Sequence, residues 1–232
     1  MVAGQPVLEI SEAAPRSDPD SLWSPSITLQ LAPGDLALVE ARDPNRAAWF
    51  ADLCCGLVPL SAGTVKFLGH DWATAPHDYA AALRGRIGRV FAAGGWIDFV
   101  DMATNILLPQ LHHTRREEGD LREAAARLAF SFGLPGLPTG HPRELSTLDL
   151  ARAACIRAFL GEPALVLLES PLQGRFADLA VPILEALATA RQNGAAALWL
   201  TGSDLVWRDR SIPVTHRLRL RDYGLIAARR AA

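Results

Sequence analysis

The segment at residues 36–72 reads LALVEARDPNRAAWFADLCCGLVPLSAGTVKFLGHDW. Its apolar run at 36–39 predicts a short buried strand, and a helix is predicted over 46–57 after a tight loop. Strand, loop and helix in this order outline a phosphate-binding region. The loop itself, residues 40–48, carries two acids and a proline where a phosphate cradle needs glycines. The segment therefore predicts the frame of a phosphate site without its chemistry.

Length and composition limit the class of protein. The chain has 232 residues, half of them apolar, and a formal net charge of −2. This suits one α/β domain, or a core with an inserted subdomain, and gives no case for nucleic-acid binding. The sequence has no apolar run of about 18 residues, so we predict no membrane span. Three cysteines, two of them adjacent, lack the spacing of a metal site, so we predict buried thiols and no bound metal.

Further strands are predicted by apolar or alternating runs at 7–10, 27–31, 63–69, 87–91, 164–169 and 196–202. Residues 215–227 predict a closing hairpin. Residues 100–160 predict mostly helices, interrupted by a Gly/Pro cluster at 133–142. Strands that alternate with helices indicate an α/β fold, here with an antiparallel element near the start.

Seven spaced landmarks occur in order: LAPGDLALV, LCCGLVP, SAGTVKFLG, IGRVF, ELSTLDLARAACIRAFLGEP, LVLLESP and LTGSD. With them the sequence resembles the ATP-binding (nucleotide-binding) subunit of ABC transporters over nearly its whole length. The resemblance implies one ABC ATPase-like domain over 1–232 with a P-loop NTPase-like α/β core. About residues 1–91 and 161–232 would form this core with an antiparallel β subdomain, and about 92–160 an inserted helical subdomain.

The resemblance also assigns the family's phosphate loop, whose residues differ here. Its three glycines, its lysine and its Ser/Thr pair match, in order, Glu40, Asp43, Asn45, Arg46, Ala47 and Ala48. Glycine lets the backbone N–H groups approach phosphate, and the Ser/Thr hydroxyl holds Mg²⁺. We expect the carboxylates of Glu40 and Asp43 to repel phosphate, and we predict no cofactor at the chain's own site.

The other site positions are altered as well. The Walker B acid matches Glu169, the general base Ser170, the switch histidine Gly202 and the Q-loop glutamine Ala92. The signature keeps Ser146 and continues with Thr147, Leu148 and Asp149. The family's S-A-L-D becomes QGRF at 173–176, and no aromatic residue precedes Trp23 to stack on adenine. Because a serine hydroxyl is a weak base, we predict that this site does not hydrolyse ATP.

The sequence thus predicts a pseudo-ATPase subunit that pairs with a competent ABC ATPase and docks on an integral membrane permease. ATP and Mg²⁺ would bind at most through the partner, and the expected location is the cytoplasmic face of the inner membrane. Docking is predicted for the apolar segment that contains Trp96, Ile106 and Leu107. Two alternatives stay open, a slow but genuine ABC ATPase and a soluble scaffold or regulatory protein. A lipid is one candidate cargo, which the sequence does not decide.

Overall fold

A computed structural model describes residues 5–16, 25–172 and 177–227. The changed motif at 173–176 and Trp23 lie outside these residues. The strands are β1 (Leu8–Pro15), β2 (Ile27–Leu31), β3 (Leu36–Glu40), β4 (Leu60–Phe67), β5 (His70–Asp71), β6 (Ile87–Val90), β7 (Leu165–Glu169), β8 (Ala196–Thr201), β9 (His216–Arg221) and β10 (Gly224–Ala227). The helices are α1 (Pro44–Cys54), α2 (His77–Arg84), α3 (Met102–His113), α4 (Glu118–Ser131), α5 (Thr147–Phe159), α6 (Ala180–Gln192) and α7 (Asp204–Arg208), with short 3₁₀ turns at Pro142–Glu144 and Ala177–Leu179.

The larger sheet has the strand order β10-β9-β3-β8-β7-β6. Strands β9, β3, β8, β7 and β6 pair in parallel, and β10 closes the edge as the antiparallel half of a hairpin. Strands β3 and β7 are buried along their whole length, which explains their nearly continuous apolar sequences. The predicted central strands and the closing hairpin are confirmed.

Two hydrophobic clusters lie on opposite faces of this sheet. Along β3, Leu36 and Leu38 belong to one cluster and Ala37 and Val39 to the other, because successive strand side chains point to opposite faces. The first cluster includes residues of α3, α4, α5 and α6, and the second joins α1 to the smaller sheet. The sheet is therefore covered on both faces.

The smaller sheet is antiparallel, with the order β2-β1-β4-β5. It confirms the antiparallel element predicted near the start, although β1 runs on to Pro15 rather than ending at residue 10. The helices α3, α4 and α5 confirm the helical region at 100–160, and the predicted Gly/Pro break separates α4 from α5. The division into a core and a helical subdomain at residues 92 and 160 stays a prediction.

The connection between β3 and α1 is shorter than the sequence predicted. Glu40 still belongs to β3, and the helix begins at Pro44 rather than at residue 46. The reason is local: Asp43 is the N-cap of α1, and proline is favoured in the first turn of a helix. Only residues 41–43 connect the two elements, so half of the predicted loop is helical.

None of the helices in the described ranges is long and apolar enough to cross a membrane. The three cysteines, Cys54, Cys55 and Cys155, are free and buried. Burial raises the pKa of Cys55 to about 11 and that of Cys155 to about 12. The predicted burial of the thiols is confirmed, and these two thiols are protonated at neutral pH.

Candidate functional site

The candidate site lies at the carboxyl edge of the larger sheet. Strands β3, β7 and β8 are parallel neighbours, with Glu40 in register with Thr201 and Glu169 in register with Leu200. Their ends therefore meet at one edge, which is where ligands bind in open α/β sheets. Residues that are far apart in the sequence, at the ends of β3, β7 and β8, are brought together here.

Glu40 is buried in a cluster of arginines. Its side chain is 3% exposed, and Arg42 Nε and Arg221 Nη2 donate to its two oxygens at 2.9 Å and 3.1 Å. Arg219 Nε lies 2.7 Å from Oε2 as an ion pair, without the alignment of a hydrogen bond. Arg219 and Arg221 of β9 lie beside Glu40 because β9 pairs in parallel with β3, with Arg219 in register with Glu40.

Burial alone would raise the pKa of the Glu40 carboxyl. The hydrogen bond from Arg42 and the charges of Arg221 and Arg219 outweigh it, and the pKa is lowered. Glu40 is therefore ionised and neutralised within the chain. The three arginine partners, which the sequence analysis did not anticipate, weaken the predicted repulsion of phosphate by Glu40.

The start of α1 is occupied by side chains of its own segment. Asp43 Oδ1 accepts a hydrogen bond from the backbone N–H of Asn45 at 2.9 Å, and the Asp43 carbonyl accepts one from Ala47 at 3.0 Å. Arg46 is hydrogen-bonded to Asp222 and lies 3.5 Å from Asp43 Oδ2. A carboxylate of the chain thus satisfies the positive end of the helix, which in other proteins can hold an anion.

Glu169 at the end of β7 is held by Arg89 of β6. Arg89 Nε donates to Glu169 Oε1 at 2.6 Å, and its Nη1 donates to Asp52 Oδ1 of α1 at 2.5 Å. Its Nη2 also reaches the carbonyl of Ala48 at 3.4 Å. The side chains of Glu169 and Arg89 are only 3% and 10% exposed. One guanidinium therefore joins the last residue of β7 to the body of α1.

Burial by itself would lower the pKa of Arg89, but its hydrogen bonds to Glu169 and Asp52 raise it. The guanidinium is consequently a fixed cation of the site. The sequence analysis missed this residue. Its only signal was a charged side chain in the middle of the predicted buried strand IGRVF.

Three other predicted positions lie near Glu169. A cavity of about 330 Å³ is lined by Ala92, Ser170 and Thr147 together with Glu169. Ser170 has a left-handed backbone, with φ of 48°, and its N–H donates to the Leu200 carbonyl at 2.8 Å. The structure therefore places the matches to the Q-loop, the general base and part of the signature around one small cavity.

Gly202 follows β8 and is exposed. A Cβ built there would meet the Ala41 carbonyl oxygen at 3.4 Å, so a side chain fits at this position. Nothing in the described part of the chain forces glycine at this site.

The signature remnant begins α5. Ser146 is the N-cap, and its Oγ accepts from the Asp149 N–H at 3.1 Å and donates to Asp149 Oδ2 at 2.8 Å. Arg152 donates to the other carboxylate oxygen at 2.9 Å. Thr147 is exposed and Leu148 half-buried in the first turn. The serine hydroxyl is therefore engaged within its own helix start.

The predicted docking residues separate into two groups. Ile106 and Leu107 are fully buried in the cluster around α3, α4 and α5. The prediction that they contact a permease is therefore wrong, because side chains in the chain's own core cannot line a docking surface. Trp96 is half-buried beneath the guanidinium of Arg157, 4.1 Å from its ring centroid. Phe99 in the same segment is 86% exposed.

Two further observations concern other ligands. Within the described ranges, no group of three or more His, Cys, Asp or Glu side chains could hold a metal ion. A larger cavity of about 790 Å³ is lined by residues such as Val7, Phe132 and Ala190. None of the predicted site residues lines it.

Comparison with known proteins identifies the family. No family model matches the sequence. The nickel import ATP-binding protein NikE of Pseudomonas putida is 30% identical over 188 residues, which cover 77% of this chain and 67% of that protein. The chain belongs to the family of ABC transporter ATP-binding subunits.

Other members of the family are similar over more of the chain. The lipoprotein-releasing system ATP-binding protein LolD 1 of Rhodopirellula baltica is 26% identical over 217 residues, or 93% of this chain and 89% of that protein. A solved dimeric ATP-binding cassette in a post-hydrolysis state with ADP and Pi has a TM-score of 0.78 at 16% identity, covering 96% of this chain and 99% of that chain. The ABC ATPase fold, with a P-loop NTPase-like core, is thereby confirmed.

Proposed function

We propose that this chain is a non-catalytic subunit of an ABC transporter, which pairs with a competent ATPase subunit and docks on a membrane permease. The observation that supports this most strongly is the ion pairing at Glu40 and Glu169. At the positions that match the phosphate loop and Walker B, the charged groups are bound to arginines of the same chain.

The residues do not fit a Mg-nucleotide. Asp43 caps the start of α1, so that helix end already has its negative partner. Ala47 and Ala48 carry no hydroxyl for Mg²⁺, and the Glu169 carboxylate already binds Arg89. The sequence suggested that free carboxylates would repel phosphate. In the structure, these carboxylates instead pair with the chain's own arginines or cap the start of α1.

Hydrolysis is unsupported for a second reason. Ser170 stands at the position of the general base, and its hydroxyl is a poor proton acceptor for an attacking water. Gly202 and Ala92 replace the switch histidine and the Q-loop glutamine that the family resemblance assigns there. A chain with these residues contributes shape and surface rather than chemistry.

The partner's site would carry the hydrolysis. In a head-to-tail pair, as the resemblance implies, it would receive Ser146 and the start of α5 from this chain. The helix N-terminus would favour a phosphate by about 0.3–1 kcal/mol. However, its first turn already carries the Asp149 carboxylate, and Thr147 and Leu148 add side chains where glycines would allow close approach. The pair would therefore have one hydrolytic site.

The permease would meet the exposed part of the segment around Trp96 and Phe99. The side chain of Phe99 is 86% exposed, so it is accessible to a partner. The proposed location is accordingly the cytoplasmic face of the inner membrane, with the chain as a peripheral subunit. Relatives are named for lipoprotein release, cell division and nickel import, so we propose no cargo.

A slow but genuine ATPase is the alternative that the relatives' names favour, because they are called ATP-binding proteins. A scaffold outside any transporter is the second alternative. Co-purification with a permease from detergent-solubilised membranes would support the transporter and exclude the scaffold.

A transport assay tests the proposal against the slow ATPase. Ser170→Ala should leave transport by the reconstituted complex within about twofold of wild type, because in this proposal the chain's own site does not hydrolyse nucleotide. Glu169 is unsuitable for this test, since its loss would remove one of the two carboxylate partners of the buried Arg89. Loss of transport in this variant, with the complex still assembled, would show that this chain's own nucleotide site works.

A further inference from the structure

The contacts of Arg89 link β7 to α1 by charge. Its guanidinium donates to Glu169 at the end of β7 at 2.6 Å and to Asp52 in α1 at 2.5 Å. The Arg89 and Glu169 side chains are 10% and 3% exposed, so the bond between them lies in a region of low polarity, whereas Asp52 is 42% exposed. Charge-assisted bonds of this kind fix the position of α1 relative to the sheet.

A second cluster does the same at the start of the loop. Glu40 is 3% exposed and lies in contact with Arg42, Arg219 and Arg221, which come from the loop and from β9. The network continues through Arg46, which bonds to Asp222 beyond β9. The loop before α1 and the helix itself are thus each tied to neighbouring elements by ion pairs.

We propose that these ion pairs replace a bound ligand, with the Arg89 guanidinium serving as a built-in cation at Glu169 and the Glu40 carboxylate as a built-in anion. The site is then held in one conformation with no Mg-nucleotide present, and the surface it offers to a partner does not depend on the nucleotide. This inference rests on the proposed function, because it requires that the chain's own site takes no Mg-nucleotide.

A stability cycle on the full chain tests the built-in cation. Arg89→Met leaves Glu169 buried without its partner, so the unfolding equilibrium constant measured in urea should rise by about 100-fold or more. The double variant Arg89→Met/Glu169→Leu removes both charges and should recover most of that loss. Arg86→Met, which changes an exposed arginine three residues earlier, is the matched control and should change little.

Amide hydrogen exchange of residues 44–54 shows whether the Arg89 contacts hold α1 in place, and whether Mg-ATP changes its protection. In the wild type, exchange in α1 should be the same with and without millimolar Mg-ATP. In Arg89→Met it should accelerate in α1 first, and Arg89→Lys, which keeps the charge but not the forked contact, should fall between the two.

The outcomes separate the inference from the proposed function. Calorimetric binding of Mg-ATP to the wild type would overturn both. No binding, together with an Arg89→Met variant as stable and as protected in α1 as Arg86→Met, would overturn the inference alone. A double variant no more stable than Arg89→Met would also overturn it, because the loss would then come from packing rather than from the ion pair.

Discussion

At the scale of the residue, the buried carboxylates are the centre of the site. Glu40 and Glu169 are both 3% exposed, and each is bonded to arginine. A buried ion pair adds little net stability over an apolar pair of the same shape, but breaking one leaves an uncompensated charge. The pairs therefore specify one arrangement of the site more than they raise its stability.

The acid stability of the chain should depend on Glu40. Because the folded-state pKa is lowered, its contribution is fully present above the ordinary glutamate pKa of about 4.3 and is lost as the pH falls through the lower folded value. Glu40→Gln should cost about 1.5–3 kcal/mol of unfolding free energy at pH 7. Urea unfolding from pH 7 to pH 3 should show this gap closing with acid.

Glu123→Gln is the matched control, since Glu123 is 75% exposed and pairs only with Arg127 on the same helix among the ion pairs identified. A gap that stays constant from pH 7 to pH 3 would mean that Glu40 carries no shifted pKa, and that its arginines do not neutralise it.

The changed residues of the site could be predicted from the sequence, but their partners could not. The order and spacing of the motifs place Glu40 and Glu169 without a structure. Arg89 and Glu169 are 80 residues apart in the chain, and they meet only because β6 lies beside β7. A pattern of local periodicity holds no information on which strands become neighbours, so the arginine partners were missed.

At the scale of the element, α3 shows why apolar composition does not identify a docking surface. Ile106 and Leu107 are fully buried, whereas the adjacent Leu108 is 38% exposed. The run of three apolar residues gave no sign of which side chains face inward, because only the packing of α4 and α5 decides that. Helical structure was predicted for residues 100–160 as a whole, and α3, which begins after its N-cap Asp101, lies within that range.

A pair of charge substitutions separates folding from docking. Ile106→Asp should cost several kcal/mol and unfold much of the chain, because it buries an unpaired charge. Phe99→Asp should leave the unfolding free energy within about 0.5 kcal/mol, because that side chain is exposed. It should nevertheless abolish co-purification with the permease.

Phe130→Asp on α4 is the control for surface charge, since Phe130 is also exposed, at 65%. Normal co-purification of Phe99→Asp, equal to that of Phe130→Asp, would remove the segment around Phe99 from the docking surface.

At the scale of the whole molecule, the chain keeps the ABC ATPase fold, while the charged groups of its site are paired with other groups of the same chain. The two sheets, the covered faces and the meeting of strand ends at one edge are all present. The apolar patterns predicted the α/β class and the antiparallel element, and the resemblance carried by the seven spaced landmarks predicted the ABC ATPase fold. The ion pairs of the site join residues that are far apart in the chain, so they could be identified only once the strand order was known.

Calorimetric titration of the purified chain with Mg-ATP tests whether the chain's own site binds nucleotide. An intact ABC ATPase, titrated in the same buffer, gives the positive control. We predict no saturable heat up to millimolar nucleotide, because Asp43 and Arg89 already occupy the charged positions of the site. A single saturable site with a micromolar dissociation constant would contradict the account.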